Sequence, residues 1–75
     1  MGMTVRGELA RQRPFDEAFI DAMLPQHESA IEMADVALKE SNNPRIQEIA
    51  RAIVDARQRE IAQMRAWRKE WYPEG

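Results

Sequence analysis

The sequence has no cysteine, one histidine and two phenylalanines. The missing cysteine excludes a disulfide framework, a zinc–thiolate site, an iron–sulfur cluster and a cysteine nucleophile. One imidazole leaves too little for most nucleophilic or metal-hydrolase schemes. No charge of one sign dominates. Eleven basic residues stand against thirteen acidic ones, for a net charge of −2, which argues against a general nucleic-acid binder. No apolar run is longer than three residues, so no membrane span is expected. No apolar h-region follows Met1-Gly2-Met3, so no signal peptide is predicted and the compartment stays open. Enzyme signatures are missing too. There is no Glu-x-x-His, no His-Glu-x-x-His, no glycine-rich phosphate loop and no Ser–His–Asp set. The expectation is a protein that is not an enzyme.

What remains reads as one small globular domain of 75 residues, 44% hydrophobic and 32% charged. A chain this short is marginal alone unless something reinforces it. Residues 1–13 carry Arg6, Arg11 and Arg13 and few large apolar side chains, which predicts a mobile or weakly helical arm. Residues 14–75 form the helical domain. Pro14 suits a helix start, and Asp16 and Glu17 in the first turn suit the helix dipole. One clear break follows, at Ser41-Asn42-Asn43-Pro44, where an asparagine can cap and a proline can open a second helix. Pro73 and Gly75 stop that helix. The reading is all-α: a first helix over about 15–40 and a second over about 44–72, joined as an antiparallel hairpin. Pro25 is expected to kink the first helix without ending it, since the apolar phase crosses it unshifted.

At about 100° per residue, Ile20, Met23, Leu24, His27, Ile31, Ala34 and Leu38 fall on one stripe of the first helix. Phe15, Phe19, Gln26, Ala30, Met33 and Ala37 widen it to an arc of about 200°, roughly twice what a surface helix needs. One partner helix cannot cover that arc. On the second helix, Ile46, Ile49, Ala50, Ile53, Ala56, Met64, Trp67 and Trp71 make the stripe, with Arg57 and Glu60 inside it. Residues 15–41 hold seven acidic and one basic residue, net −6; residues 44–72 hold seven basic and four acidic, net +3. The two helices should therefore attract one another. A soluble hairpin with so wide an arc is expected to dimerise into a four-helix bundle.

His27 lies near the centre of the first stripe, at the level of Arg57 and Glu60 in an antiparallel hairpin. Gln26, His27, Arg57 and Glu60 form an expected buried polar layer, with Glu60 paired to Arg57 or His27 because an unpaired buried carboxylate is costly. Met23 and Met64 stand at adjacent levels. Methionine at helical spacing is ordinary core filler. Methionine with histidine is also the soft donor set that suits Cu(I). His27, Met23 and Met64 are the candidate metal ligands. Trp67 and Trp71, one turn apart, read as core-end packing or as an aromatic platform for a partner.

Phe15-Asp16-x-x-Phe19-Ile20-Asp21-x-Met23-Leu24-Pro25-x-His27, continued by Ala30-Ile31-x-Met33-Ala34, resembles the opening helix of a repeat in the family called domain of unknown function 305. Ile53-Val54, Glu60-Ile61-x-x-Met64 and Trp67 are similar to that family's second helix. The resemblance covers about residues 15–71. It implies a ferritin-like helical bundle, commonly built from two such helix pairs, in proteins often exported by bacteria. It also implies that some members bind copper through Met and His. Two departures stand out: Gln26 replaces a usual histidine, and Arg57 replaces a usual glutamine. Two functions are expected from these residues. One is a homodimeric assembly or interaction module. The other is a transition-metal, specifically copper, binding protein.

Overall fold

A computed structural model of the chain describes residues 5–74. Among these residues there are three helices and no strand: α1 (Val5–Arg11), α2 (Phe15–Glu40) and α3 (Pro44–Trp71). The two long helices match the expected spans and form the antiparallel hairpin. Part of the predicted arm is the two-turn helix α1; residues 1–4 lie outside the described residues. Glu8 near its start and Arg11 at its end complement its dipole. Arg13 Nη1 donates to the carbonyls of Ala10 and Gln12, satisfying acceptors that the helix end leaves over. Half-buried Leu9 seats α1 near Ala18 and Asp21 of α2.

Local chemistry sets the boundaries of the hairpin. Pro14 caps α2 in an extended conformation, and its carbonyl accepts from Ala18 N. α2 then runs unbroken through Pro25, whose ring lies on the exposed face. The turn is short because its polar groups are used locally. Asn43 Oδ1 accepts from Arg45 N at 2.9 Å, the N-cap contact that opens α3, with Pro44 as first helical residue. Ser41 Oγ accepts from Asn43 N, and Gln47 Nε2 donates back to Ser41 O at 2.7 Å. Only three residues separate the helices, so α3 must fold straight back along α2.

The seam between the helices buries Ile20, His27 and Ala34 from α2 and Ala50, Ile61 and Met64 from α3. Leu24, Ile31, Leu38 and Val54 flank it half-buried. This core has one side only. The molecule measures 44 × 37 × 13 Å between Cα extremes, which is a single layer of helices. Domains ordinarily bury an apolar face between two layers. Here the wide arc read from the sequence is split. Its centre meets α3, and its flank faces solvent, with Phe15, Phe19 and Met33 exposed on α2; Ile46, Ile49, Trp67 and Trp71 are exposed on α3. Met33 is 73% exposed, against 3% for Ile20.

Two substitutions check this account. Ile20→Ala removes a branched side chain from the narrow seam and should lower stability by about 2–4 kcal/mol. Asn43→Ala should cost about 1 kcal/mol by removing the cap of α3. Urea titration followed by circular dichroism reads both. Losses under about 0.5 kcal/mol at both sites would mean that neither the seam nor the cap holds the hairpin together.

Candidate functional site

The two edges of the hairpin differ in chemistry. Along one edge α2 presents Glu17, Asp21 and Glu28 to Arg65 and Arg68 of α3. Arg68 reaches Asp21 through two contacts, Nε to Oδ1 at 2.6 Å and Nη2 to Oδ2 at 3.1 Å, and Nη2 also donates to Glu17 Oε2 at 2.9 Å. Arg65 Nη2 meets Glu28 Oε2 at 2.8 Å. This is the forecast attraction between acidic and basic helices resolved into named pairs. The hydrogen bond from Arg68 holds the Asp21 carboxyl below the ordinary carboxylate range, against partial desolvation. The same contact raises Arg68. Sequence reading missed this cluster, although the i, i+4 spacing of Glu17 and Asp21 opposite Arg68 was the signal available for it.

Along the other edge lies the site. Helical phase points His27 into the seam, where it is the one buried polar side chain among the described residues. Its Nε2 donates to Glu60 Oε1 at 2.6 Å. The same oxygen accepts from Arg57 Nη1 at 2.9 Å, an i, i+3 contact along α3. Glu60 is therefore paired with both of its expected partners. It is held below its ordinary value chiefly by the His27 hydrogen bond, opposed by desolvation, and helped by the Arg57 charge and hydrogen bond. The expected polar layer is narrower than the sequence suggested. Gln26 is exposed, because one residue along a helix turns its side chain about 100° away from His27. Arg57 and Glu60 keep 38% and 45% of their side-chain surface in water, so the layer is buried only at its histidine end.

A cavity of about 390 Å³ opens beside this pair. His27, Met23 and Met64 all line it, together with Glu60, Gln63 and Trp67. Met64 is buried and Met23 half-buried. The three candidate ligands thus share one pocket, brought from two helices by the register of the hairpin. Asp16, Phe19 and Ile20 complete its far end. Asp16 and Gln63 had not been expected there. Asp16 lies two helical turns before Met23, and Gln63 one turn after Glu60, which were the signals available for their places at the cavity. No three His, Asp or Glu side chains cluster closely enough to hold a metal among the described residues. A hard-ion cage of carboxylates is not present there. The lining offers one imidazole, two thioethers, the amide of Gln63 and the carboxylates of Asp16 and Glu60. No described helix is long and apolar enough to cross a membrane.

Fold and pocket define an all-α helical-hairpin protein with a single inward histidine set between methionines. The chain belongs to the DUF305 family (domain of unknown function), whose sequence model matches residues 3–73. Among solved structures it is similar to CopM in the Cu(I)-bound form, at 37% identity and a TM-score of 0.76 over 79% of this chain. It is equally similar to CopM in the Cu(II)-bound form, again at 37% identity and TM-score 0.76 over 79% of this chain. The chain spans 43% of the first structure's chain and 40% of the second's. A search of curated protein sequences finds no match.

Two outcomes follow from the ion pairs. Asp21 and Glu60 are both lowered on folding, so both stabilise the fold while the unfolded chain would be ionised too. That contribution is present above the ordinary carboxylate range and is lost as pH falls through the lowered values. The urea midpoint should be level above about pH 6 and fall between about pH 5 and pH 3. In the Asp21→Asn, Glu60→Gln double variant the fall should be visibly shallower, and an unchanged slope would remove these two groups as its cause. Separately, Glu60→Ala should lower the midpoint more than Glu60→Gln, since the amide can still accept from His27 or Arg57. Equal midpoints for the two variants and the parent would show that the contact does not stabilise the hairpin.

Proposed function

We propose that this chain is a copper-binding module, with His27, Met23 and Met64 as its ligands. The observation that supports it most is that these three side chains line one pocket, in a fold shared at 37% identity with copper-bound structures. The donor chemistry fits. Thioethers and imidazole suit a soft ion such as Cu(I), which accepts few ligands, and they discriminate against Mg²⁺ or Ca²⁺. The hydrogen bond from Nε2 to Glu60 fits as well. Histidines that bind metal commonly donate their second ring nitrogen to a carboxylate, which fixes the tautomer and leaves the other nitrogen basic. In this chain Glu60 engages Nε2, so Nδ1 is the nitrogen for the ion. Arg57 keeps Glu60 ionised and so keeps that tautomer in place. Copper, when bound, supplies a redox-active or transferable cargo; the reading includes no catalytic step.

The second function is assembly. The exposed apolar flank, from Phe15 and Phe19 through Met33 on α2 and from Ile46 to Trp71 on α3, is continuous along the hairpin. A single-layer molecule cannot bury it alone, and soluble monomers rarely expose such a surface. A homodimer that forms a four-helix bundle supplies the missing layer. Binding and assembly are compatible, since the flank borders the pocket.

Titration of the chain with Cu(I) against a competing chelator tests the first reading. The parent should compete, and His27→Ala, folded by circular dichroism, should lose at least about tenfold in affinity, in line with removing a strong ligand. Equal weak binding by both proteins would dismiss the copper site. Light scattering at micromolar concentration tests the second. The expected mass is twice 8.7 kDa, and a folded monomer at 8.7 kDa would dismiss the homodimer.

A further inference from the structure

The exposed flank has a register of its own. On α2, Phe19, Met23, Gln26, Ala30, Met33 and Ala37 follow spacings of 4, 3, 4, 3 and 4, with Phe15 one turn before Phe19. None of these residues is charged. This is a second heptad seam, parallel to the one that α2 uses against α3. α3 carries a matching second seam on the same side of the hairpin, through Ile46, Ile49, Ile53, Ala56, Glu60 and Gln63 to Trp67. A helix with two adjacent seams is built for two neighbours, as in a four-helix bundle.

Resting on the homodimer reading, we propose that two copies pair about an axis along the bundle, with both loops at the same end and each α2 against the partner's α3. Three observations select this arrangement. First, charge: α2 is net −6 and α3 net +3 over residues 15–41 and 44–72, so each helix meets its opposite. Turning the partner end for end sets α2 on α2, both acidic, or α2 parallel to α3 with dipoles aligned. Second, register: an axis along the bundle keeps every residue at its own level, so α2 reads the partner's α3 with the offset fixed by His27–Glu60 and Asp21–Arg68. At that offset the polar members of the second seams coincide, Gln26 with the partner's Glu60 and Gln63. Met33 and Ala37 then meet the partner's Ile53 and Ile49. Phe15 and Phe19, 6.1 Å apart, meet its Trp71 and Trp67, stacked at 5.4 Å. Third, the pocket: its open wall, between Phe19 of α2 and Trp67 of α3, lies on this face. The partner's Gln26 closes it, and the two His27–Glu60 pairs share one layer. Each pocket is therefore completed by the other copy.

The absence of cysteine makes the test direct. Asn42 is exposed in the loop, so Asn42→Cys carries one nitroxide per chain. Spin–spin distances are then measured on the dimer fraction of the full chain. Loops at the same end lie about one to two helix spacings apart, which predicts a label separation below about 25 Å. Loops at opposite ends lie a helix length apart, about 40 Å for a helix of 26 residues. A dimer with the long distance overturns this arrangement while the homodimer reading stands. A folded monomer by light scattering overturns both.

Discussion

Two helices can meet along only one line, and most of this structure follows from that limit. The three-residue turn forces α3 back along α2, so the seam is long and narrow. Its buried side chains are few among the described residues, and two of the six are alanines. Alanine at the seam lets the helices approach closely, and it contributes little area to burial. The remaining hold comes from the edge where Arg65 and Arg68 bridge to Glu17, Asp21 and Glu28. Exposed pairs of this kind contribute modestly and fix relative position more than they add stability. The opposite edge carries the pocket, the Arg57–Glu60 pair and the apolar flank.

The placement of His27 illustrates how position decides chemistry. Had it lain one residue earlier, in the place of Gln26, it would face solvent. In the seam, its ring is fixed by Glu60 on the neighbouring helix, and Glu60 is fixed in turn by Arg57. The chain Arg57–Glu60–His27 thus runs from water into the molecule. A ring held in this way has one nitrogen engaged by the carboxylate, which fixes its orientation in the seam. Arg57 does not enter the pocket lining. It spends its charge on Glu60.

The helices were legible because their signals are local. Caps, prolines and a 3.6-residue period act over a few residues, and Asn43, Pro44 and Pro14 behave as their chemistry dictates. The level of His27 with Glu60 was legible too, since a short turn fixes an antiparallel register. Gln26 was misplaced in the layer because an arc of 200° does not say which part meets the only partner present. Periodicity ranks residues by angle, and the choice of the buried angle is made by packing. The Arg68 cluster was hidden for a similar reason: charge totals predicted the attraction of the helices, and only their relative rotation determines which guanidinium reaches which carboxylate.

The single-layer shape also bears on how longer proteins of this kind can be built. Phe15 and Trp71 both lie at the end of the hairpin away from the loop. A chain leaving α3 there is already beside the point where a second hairpin of the same kind would begin, provided the two hairpins stand with their turns together. Duplication of the segment followed by a short linker would then join two units without reversing a helix or crossing the bundle. A fused pair is free to diverge, one half keeping its donors while the other loses them. A pair of identical chains is not, because each substitution is written into both halves of the interior at once.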